Sequence, residues 1–427
     1  MLKRFIKYVS QNMLGMLGMS FYILADTFFI SKAGGADGIT ALNLVLPLYN
    51  LIFAIGAMIG VGSAIRYVVE RGRNEKAAGG YFFHAIAWAL IISSVFVLAG
   101  AFIPDKIIAL LGGDETIVNT GKNYTRIFMM FAPFFMCNYI CNAFVRNDGN
   151  PSIAMAATLF SSLFNVLMFP LGLSMSGAAL ATALSPIIGV LICCIHFKSE
   201  KCSISFKPVG LSIKKLIYSC QVGVSAFVGE ISSGVITVAF NMIILGLAGN
   251  IGVAAYGVVA NISLVAVALF NGIAQGSQPL VSECYGKGRM KDVRYVVGLA
   301  FKTALVLAVL IIAAIYIWSD PIASIFNSEK NPELAAYARE GIRLYFIGFL
   351  FAGINIVGTS ALSAVEAVRW AFTASIMRGF VAILIFAFAL SAVFGMTGVW
   401  LAFPAAELVT MLLSLTGISK SILAKCR

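Results

Sequence analysis

The sequence predicts an all-α membrane protein: twelve transmembrane helices in two pseudo-symmetric six-helix bundles. Three observations carry that expectation. The chain has far more apolar residues than a soluble core can hide, it breaks into a dozen runs long enough to cross a bilayer, and one set of motifs recurs in its two halves. Of the 427 residues, 60% are hydrophobic and 11% charged. Soluble domains carry roughly 45–50% and about 25%.

A spanning helix needs about 20 apolar residues to cross about 30 Å of hydrocarbon. The runs fall at about 8–32, 38–65, 77–103, 120–144, 151–172, 176–197, 216–246, 251–282, 297–318, 334–364, 370–394 and 397–419. Open sheets leave edges unsatisfied in lipid, and a barrel shows short alternating strands, so long continuous runs mean helices. Glycine or proline marks several ends, as at Gly34-Gly35, Gly112-Gly113, Gly149-Asn150-Pro151, Gly249-Asn250 and Gly286-Lys287-Gly288. The apolar run after the basic stretch Met1 to Lys7 meets no small-residue cleavage pattern, so it reads as the first spanning helix.

The net charge of +12 is concentrated in alternate loops. Lys3, Arg4 and Lys7 precede the first span; Arg66, Arg71, Arg73 and Lys76 follow the second. Lys198, Lys201, Lys207, Lys214 and Lys215 fill the middle, Lys287, Arg289, Lys291 and Arg294 follow the eighth, and Lys420, Lys425 and Arg427 close the chain. Basic loops stay in the cytoplasm. Twelve spans then place both termini and the central linker on that side of a cell membrane. With no soluble basic domain, nucleic acid is not an expected partner.

The middle linker divides the chain into residues 1–197, 198–215 and 216–427. Gly62-Ser63 and Gly72-Arg73 match Gly276-Ser277 and Gly286-Lys287 at a separation of 214, and Asp26 falls opposite Asn241 at 215. Met175-Ser176-Gly177 matches Met396-Thr397-Gly398 at 221. Six spans per half give both halves the same orientation. Transporters use such repeats with the site between them.

Charges inside spans need a reason, because each costs roughly 2.5–3.5 kcal/mol at mid-membrane. Asp26 in the first span reads as a proton or sodium site, and Glu230 in the seventh as a carboxylate that attracts a cation. Arg378 reads either as an intramembrane base or as one that snorkels to the near interface, and Glu407, deeper in the twelfth span, is one candidate partner for it. Arg66, Glu70 and Glu283 sit near span ends and read as solvated. The amides Asn43, Asn142, Asn165, Asn241, Gln275 and Gln278 are candidate cleft-lining groups, with interhelical bonding as the alternative; Asn50 and Asn261 share their pattern. Soft and aromatic side chains between Phe128 and Met136 suit an adaptable pocket. The eight cysteines show no metal-ligand spacing and no disulfide framework.

Several of these segments resemble the multidrug and toxic compound extrusion (MATE) family. They are Ala25-Asp26-Thr27-Phe28-Phe29-Ile30-Ser31 with Gly34-Gly35, Gly60-Val61-Gly62-Ser63-Ala64 leading to Arg71-Gly72-Arg73, and Arg146-Asn147-Asp148-Gly149-Asn150-Pro151. Gly177-Ala178-Ala179-Leu180-Ala181-Thr182, Gln278-Pro279-Leu280 and Gly398-Val399-Trp400-Leu401 complete the set. The resemblance runs from about Ser10 to Thr410, is similar to the bacterial MepA-like branch, and rests on order and spacing, since each motif alone is weak.

It implies a monomeric secondary antiporter that expels organic cations in exchange for H⁺ or Na⁺, with no cofactor. It assigns ion coupling to Asp26 and Glu230. Many members carry a second acid in the fifth span; Asn165-Val166-Leu167-Met168-Phe169-Pro170 has none. Among alternatives, a lipid-linked oligosaccharide flippase shares the plan but calls for a basic cleft, and a non-transporting membrane receptor needs no intramembrane acids. No phosphate-binding loop, zinc motif or nucleophile elbow points to a pump or an enzyme.

Overall fold

In lipid every backbone N–H must find its partner within its own segment, so the apolar runs fold as helices. The computed structural model describes residues 1–73, 78–168, 175–200, 202–205, 210–326 and 331–424, excluding the side chains of 22, 24–43, 175, 176, 178 and 323–326. In order, its α-helices are α1 (Leu2–Arg73), α2 (Tyr81–Phe102), α3 (Pro104–Leu110), α4 (Glu115–Met130), α5 (Ala132–Asn147), α6 (Pro151–Met168), α7 (Met175–Phe197), α8 (Ile213–Gly286), α9 (Met290–Phe326), α10 (Pro332–Ile347), α11 (Phe349–Ala364), α12 (Val368–Ile376) and α13 (Ala382–Ile418). Among the described residues there is no strand.

Three elements hold two spans each. The 72 residues of α1 are more than enough for two crossings of about 20 residues each. The 74-residue α8 turns back at Gly249, whose φ of 59° suits glycine alone. The α12–α13 run turns at Gly395 with φ 56°. Two other spans are broken rather than straight. The expected helix at about 120–144 is α4 and α5, bent by 46°. Pro133 enters α5 at its first turn, where it lacks the N–H and crowds the carbonyl four residues back. The expected helix at about 334–364 is α10 and α11, also bent by 46°, at Gly348, where Phe403 and Pro404 of α13 leave only 2.5 and 3.1 Å for a Cβ. With these breaks the chain makes twelve spans.

Each half has its own core. Ile52, Tyr67, Phe128, Phe135 and Phe144 centre the first. Phe240, Phe270, Phe346, Phe349 and Trp400 centre the second, which also takes in Phe5, Tyr8 and Val9 from the start of α1.

The halves meet closely where the basic residues gather. A Cβ on Gly72 would stand 2.8 Å from the backbone of Gly286, and one on Gly276 2.7 Å from Cα of Val9. Gly62 in turn abuts Ser219 and Gly223. Gly72 and Gly286 are separated by 214 positions, as are Val9 and Gly223, and Gly62 and Gly276. A repeat residue that touches its own counterpart lies on the axis relating the halves.

Ion pairs reinforce the same end. Arg4 meets Glu283 at 2.7 Å and Arg73 meets Glu366 at 3.0 Å; Arg66 also reaches Glu366. The end charges Arg66, Glu70 and Glu283, expected to be solvated, are each only 18% exposed and form pairs. The reason is topological: the glycine contacts bring the loop after α11 over the end of α1, and acids there meet bases from the other half. Glu366 takes a left-handed backbone with φ 57°, a strain of about 1–3 kcal/mol, and pairs there with Arg66 and Arg73. The turn between α5 and α6 uses Gly149 for the same conformation, φ 99°.

Candidate functional site

The site is built on one face of α5. Gly56 and Gly60 of α1 let α5 approach, with Cα of Met136 and Cα of Ile140 each 3.1 Å from where a Cβ would lie. That contact orients Tyr139, Arg146 and Asn147 toward α8 of the other half. Tyr139 donates its hydroxyl to Oε1 of Glu230 at 3.1 Å. Arg146 donates Nη1 to Oε1 of Gln275 at 2.6 Å. Asn147 and Gln278 exchange amide bonds at 3.1 and 3.4 Å, and Gln278 also donates to Ser282. Gln275 points its own amide at Sδ of Met16, 3.9 Å away.

Aromatic rings adjoin the Glu230 end of this face. Phe53 meets Tyr139 edge-on at 5.5 Å and Phe135 at 5.3 Å, while Tyr49 stacks on Phe128 at 3.9 Å. Asn50 of α1 packs against Gly234, one turn beyond Glu230, where its Nδ2 leaves 3.0 Å for a Cβ. A half-buried carboxylate beside aromatic faces is an arrangement that attracts an organic cation by charge and by ring quadrupole.

The sequence-derived residues are distributed as follows. Glu230, Gln275 and Gln278 come together on the α5–α8 seam, while Asn142 bonds Asn138 of its own helix. Asn165 is buried inside the first half, where it donates to Oγ1 of Thr182 at 3.2 Å. Asn241 is half-buried on α8. Asp26 and Asn43 lie outside the described residues. Tyr139 and Arg146 were not among the sequence candidates; their spacing of seven residues, two helical turns, was the available signal.

Arg378 and Glu407 do pair. Nε of Arg378 donates to Oε1 of Glu407 at 2.6 Å, and Nδ2 of Asn355 donates to Oε2 at 2.7 Å. Arg378 sits on a single π-turn, Met377–Val381, the kind of helix irregularity that re-aims one side chain.

A second polar centre lies outside the spans, at the α5–α6 turn. Asp148 accepts from Tyr67 at 2.8 Å, from the backbone N–H of Ser203 at 2.8 Å, from Arg71, and pairs with Nε2 of His196 at 2.9 Å. Asp148, His196 and Cys202 bring ligand atoms within 4.8 Å of one another, a grouping the sequence spacing did not reveal. Protein donors already fill both carboxylate oxygens, and Arg71 holds the place a cation would take, so the cluster acts as a structural lock on the linker. Burial alone would raise the Asp148 pKa; the hydrogen bonds from His196, Ser203 and Tyr67 and the charge of Arg71 outweigh it and hold it below the ordinary value. A depressed carboxylate stabilises the fold above its unfolded pKa of about 3.9 and loses that contribution as pH falls through the folded value. Asp148→Asn is expected to cost about 2–3 kcal/mol at neutral pH, and the gap from the parent to close only in acid below about pH 4. Thermal unfolding across pH tests both.

The MatE family model matches residues 12–171 and 226–389, one stretch in each half. Multidrug export protein MepA of Staphylococcus saprophyticus is 26% identical over 397 residues, 91% of this chain and 86% of that protein. MepA of Staphylococcus aureus strain MRSA252 is 26% identical over 401 residues, with the same coverage. Among solved structures, a multidrug resistance MATE family transporter of the MOP superfamily in an outward-facing conformation superposes with a TM-score of 0.92 at 21% identity, over 99% of this chain and 96% of that one. A MOP superfamily transporter from Pyrococcus furiosus, described as having a binding pocket of reverse polarity, gives 0.90 at 20% identity, over 100% and 96%. Two matched halves, seamed by glycine and spanning a bilayer, leave one assignment: the chain belongs to the MatE family of multi-pass membrane transporters.

Proposed function

We propose that this transporter is a secondary multidrug efflux antiporter, which exports organic cations in exchange for H⁺ or Na⁺. The observation that carries the reading is Glu230, an acid within a span, half-buried between the halves and held by Tyr139 at 3.1 Å beside an aromatic cluster. A cation binds there while Glu230 is ionised; protonating the acid, or pairing it with another ion, releases the cargo. The staphylococcal relatives are named multidrug export proteins, which supports multidrug export. Asp26 is the proposed partner acid for coupling. Asn43, Asn142, Asn165, Asn241, Gln275 and Gln278 are proposed amide contacts along the path, Gln275 and Gln278 at its floor.

The basic end, where both termini lie, is the proposed cytoplasmic face of the cell membrane, and residues 1–197 and 216–427 are the proposed repeat units, working as a monomer. The glycine seam and ion pairs then close the cytoplasmic side, the arrangement from which cargo leaves. An intramembrane acid at the seam favours cationic cargo over the pyrophosphate lipid of a flippase.

The test is transport by the full chain in vesicles under an imposed pH or sodium gradient, followed with a fluorescent organic cation. Glu230→Gln is expected to cut concentrative transport at least about tenfold, the loss of one charge-assisted contact, while the protein remains folded. Full transport by both Glu230→Gln and Asp26→Asn would overturn the site. Varying the two gradients separately identifies the ion.

A further inference from the structure

We propose that Arg146 forms an anion-binding subsite, which takes the carboxylate of a zwitterionic cargo whose cationic pole lies at Glu230. The inference rests on the efflux reading and extends it to a second pole of the cargo.

The guanidinium is always charged, yet Arg146 is only 6% exposed, and among the described residues its one hydrogen-bond partner is the neutral amide of Gln275. Among the described residues no carboxylate pairs with it. Its buried Nε has no partner among the described residues. Other arginines at this end of the bundle have acids: Arg4, Arg66, Arg71 and Arg73 are each matched to Glu283, Glu366 or Asp148. A buried charge without a counter-charge is a costly arrangement, and a fold that supplies acids to its neighbours leaves this one for something else.

A second unpartnered atom points the same way. Asn142, one turn before Arg146 on α5, spends its Nδ2 on Asn138 at 2.9 Å, and its buried Oδ1 has no partner among the described residues. Helical side chains lean toward the N-terminus of their helix, so Arg146 reaches back along α5 toward Asn142 and Tyr139. The face thus reads in order: an acid through Tyr139, an open acceptor at Asn142, an open donor at Arg146. The rise from Tyr139 to Arg146 is about 10.5 Å. A cargo with an ammonium at one end and a carboxylate at the other meets each group with its complement. A simple cation accompanied by a free chloride ion presents the same anion chemistry.

Binding to the purified full-length protein separates these. The probes are a rhodamine with a free carboxylate and the methyl ester of the same dye, measured by fluorescence anisotropy in chloride and in gluconate. The parent protein is expected to bind the zwitterion about tenfold more tightly than the ester. Arg146→Met should remove that preference. So should Asn142→Asp, which supplies an internal carboxylate beside Arg146 and decides the matter if Arg146→Met does not fold. If ester binding falls about tenfold in gluconate for the parent and not for Arg146→Met, the site takes free chloride beside the cargo. Equal affinities for both dyes in both salts, unchanged by Arg146→Met or Asn142→Asp, overturn the anion site. A parent protein that binds neither dye overturns the efflux reading instead; the anion site then stands if chloride raises the melting temperature of the parent but not of the variant, and falls if it does not.

Discussion

Replacing Glu407 with alanine is expected to destabilise the protein by about 3–5 kcal/mol, the cost of leaving one member of a buried ion pair without the other. Glu407 is 2% exposed. Its two oxygens are engaged by Arg378 at 2.6 Å and Asn355 at 2.7 Å. Without the acid, the guanidinium remains on its π-turn among apolar helices, and the Asn355 amide keeps only the backbone carbonyl of residue 407, 2.8 Å away.

The comparison that isolates this effect is the double variant Arg378→Met with Glu407→Leu. It removes both charges and fills the space, and buried pairs replaced in this way are often neutral or more stable. The double variant should therefore unfold at a higher denaturant or temperature midpoint than Glu407→Ala alone. A single variant as stable as the double would show that water reaches Arg378 and screens it, and the pair would lose its structural role. Arg378 is 28% exposed along its side chain, so the lower end of the range is the expected one.

Glu230 and Glu407, two of the intramembrane acids named from the sequence, have different environments, and the sequence does not distinguish them. Both are lone carboxylates in long apolar runs. What separates them is a partner: Glu407 meets an arginine 29 positions away, and Glu230 meets a tyrosine 91 positions away in the other half. Span number, span ends and the repeat were legible because they depend on local composition and on one fixed displacement along the chain. The α4–α5 bend was also legible in principle, since Pro133 is visible. The α10–α11 bend was not, because it arises where Pro404 packs against Gly348 from a helix more than fifty residues on.

The Asp148 lock was hidden for a related reason. Its partners Tyr67 and His196 lie 81 and 48 positions away, so no spacing pattern reveals them. Arg146 lies two residues before that lock, in a segment whose resemblance to a family motif drew attention to its glycine and proline. Its importance is a matter of what does not surround it, and an absent counter-charge is invisible until the neighbouring helices are in place.

Gly62→Val is expected to prevent the basic end from closing. In this structure a Cβ at Gly62 would overlap the carbonyl of Ser219 and lie 2.9 Å from the backbone N of Gly223. These are main-chain atoms of another helix, which cannot rotate away as a side chain can. Accommodating a branched side chain requires α1 and α8 to separate, at a cost of about 1–3 kcal/mol or more to the closed state. A bias of that size changes a two-state ratio roughly 5- to 150-fold. The readout is Cys220, half-buried next to Ser219. With the other cysteines replaced, its labelling by an impermeant maleimide from the basic side should accelerate by about tenfold or more, and transport should fall with it. Gly246→Val is the control, because a Cβ there meets nothing within 4 Å, and it should leave labelling and transport unchanged. The ion pairs of Glu366 with Arg66 and Arg73 cross the same seam, so disrupting them with Glu366→Gln should move labelling in the same direction by less, since partly exposed pairs contribute only about 0.2–1 kcal/mol each. Unchanged labelling in Gly62→Val would mean that the seam opens elsewhere, and the glycine contacts would then be packing rather than a gate.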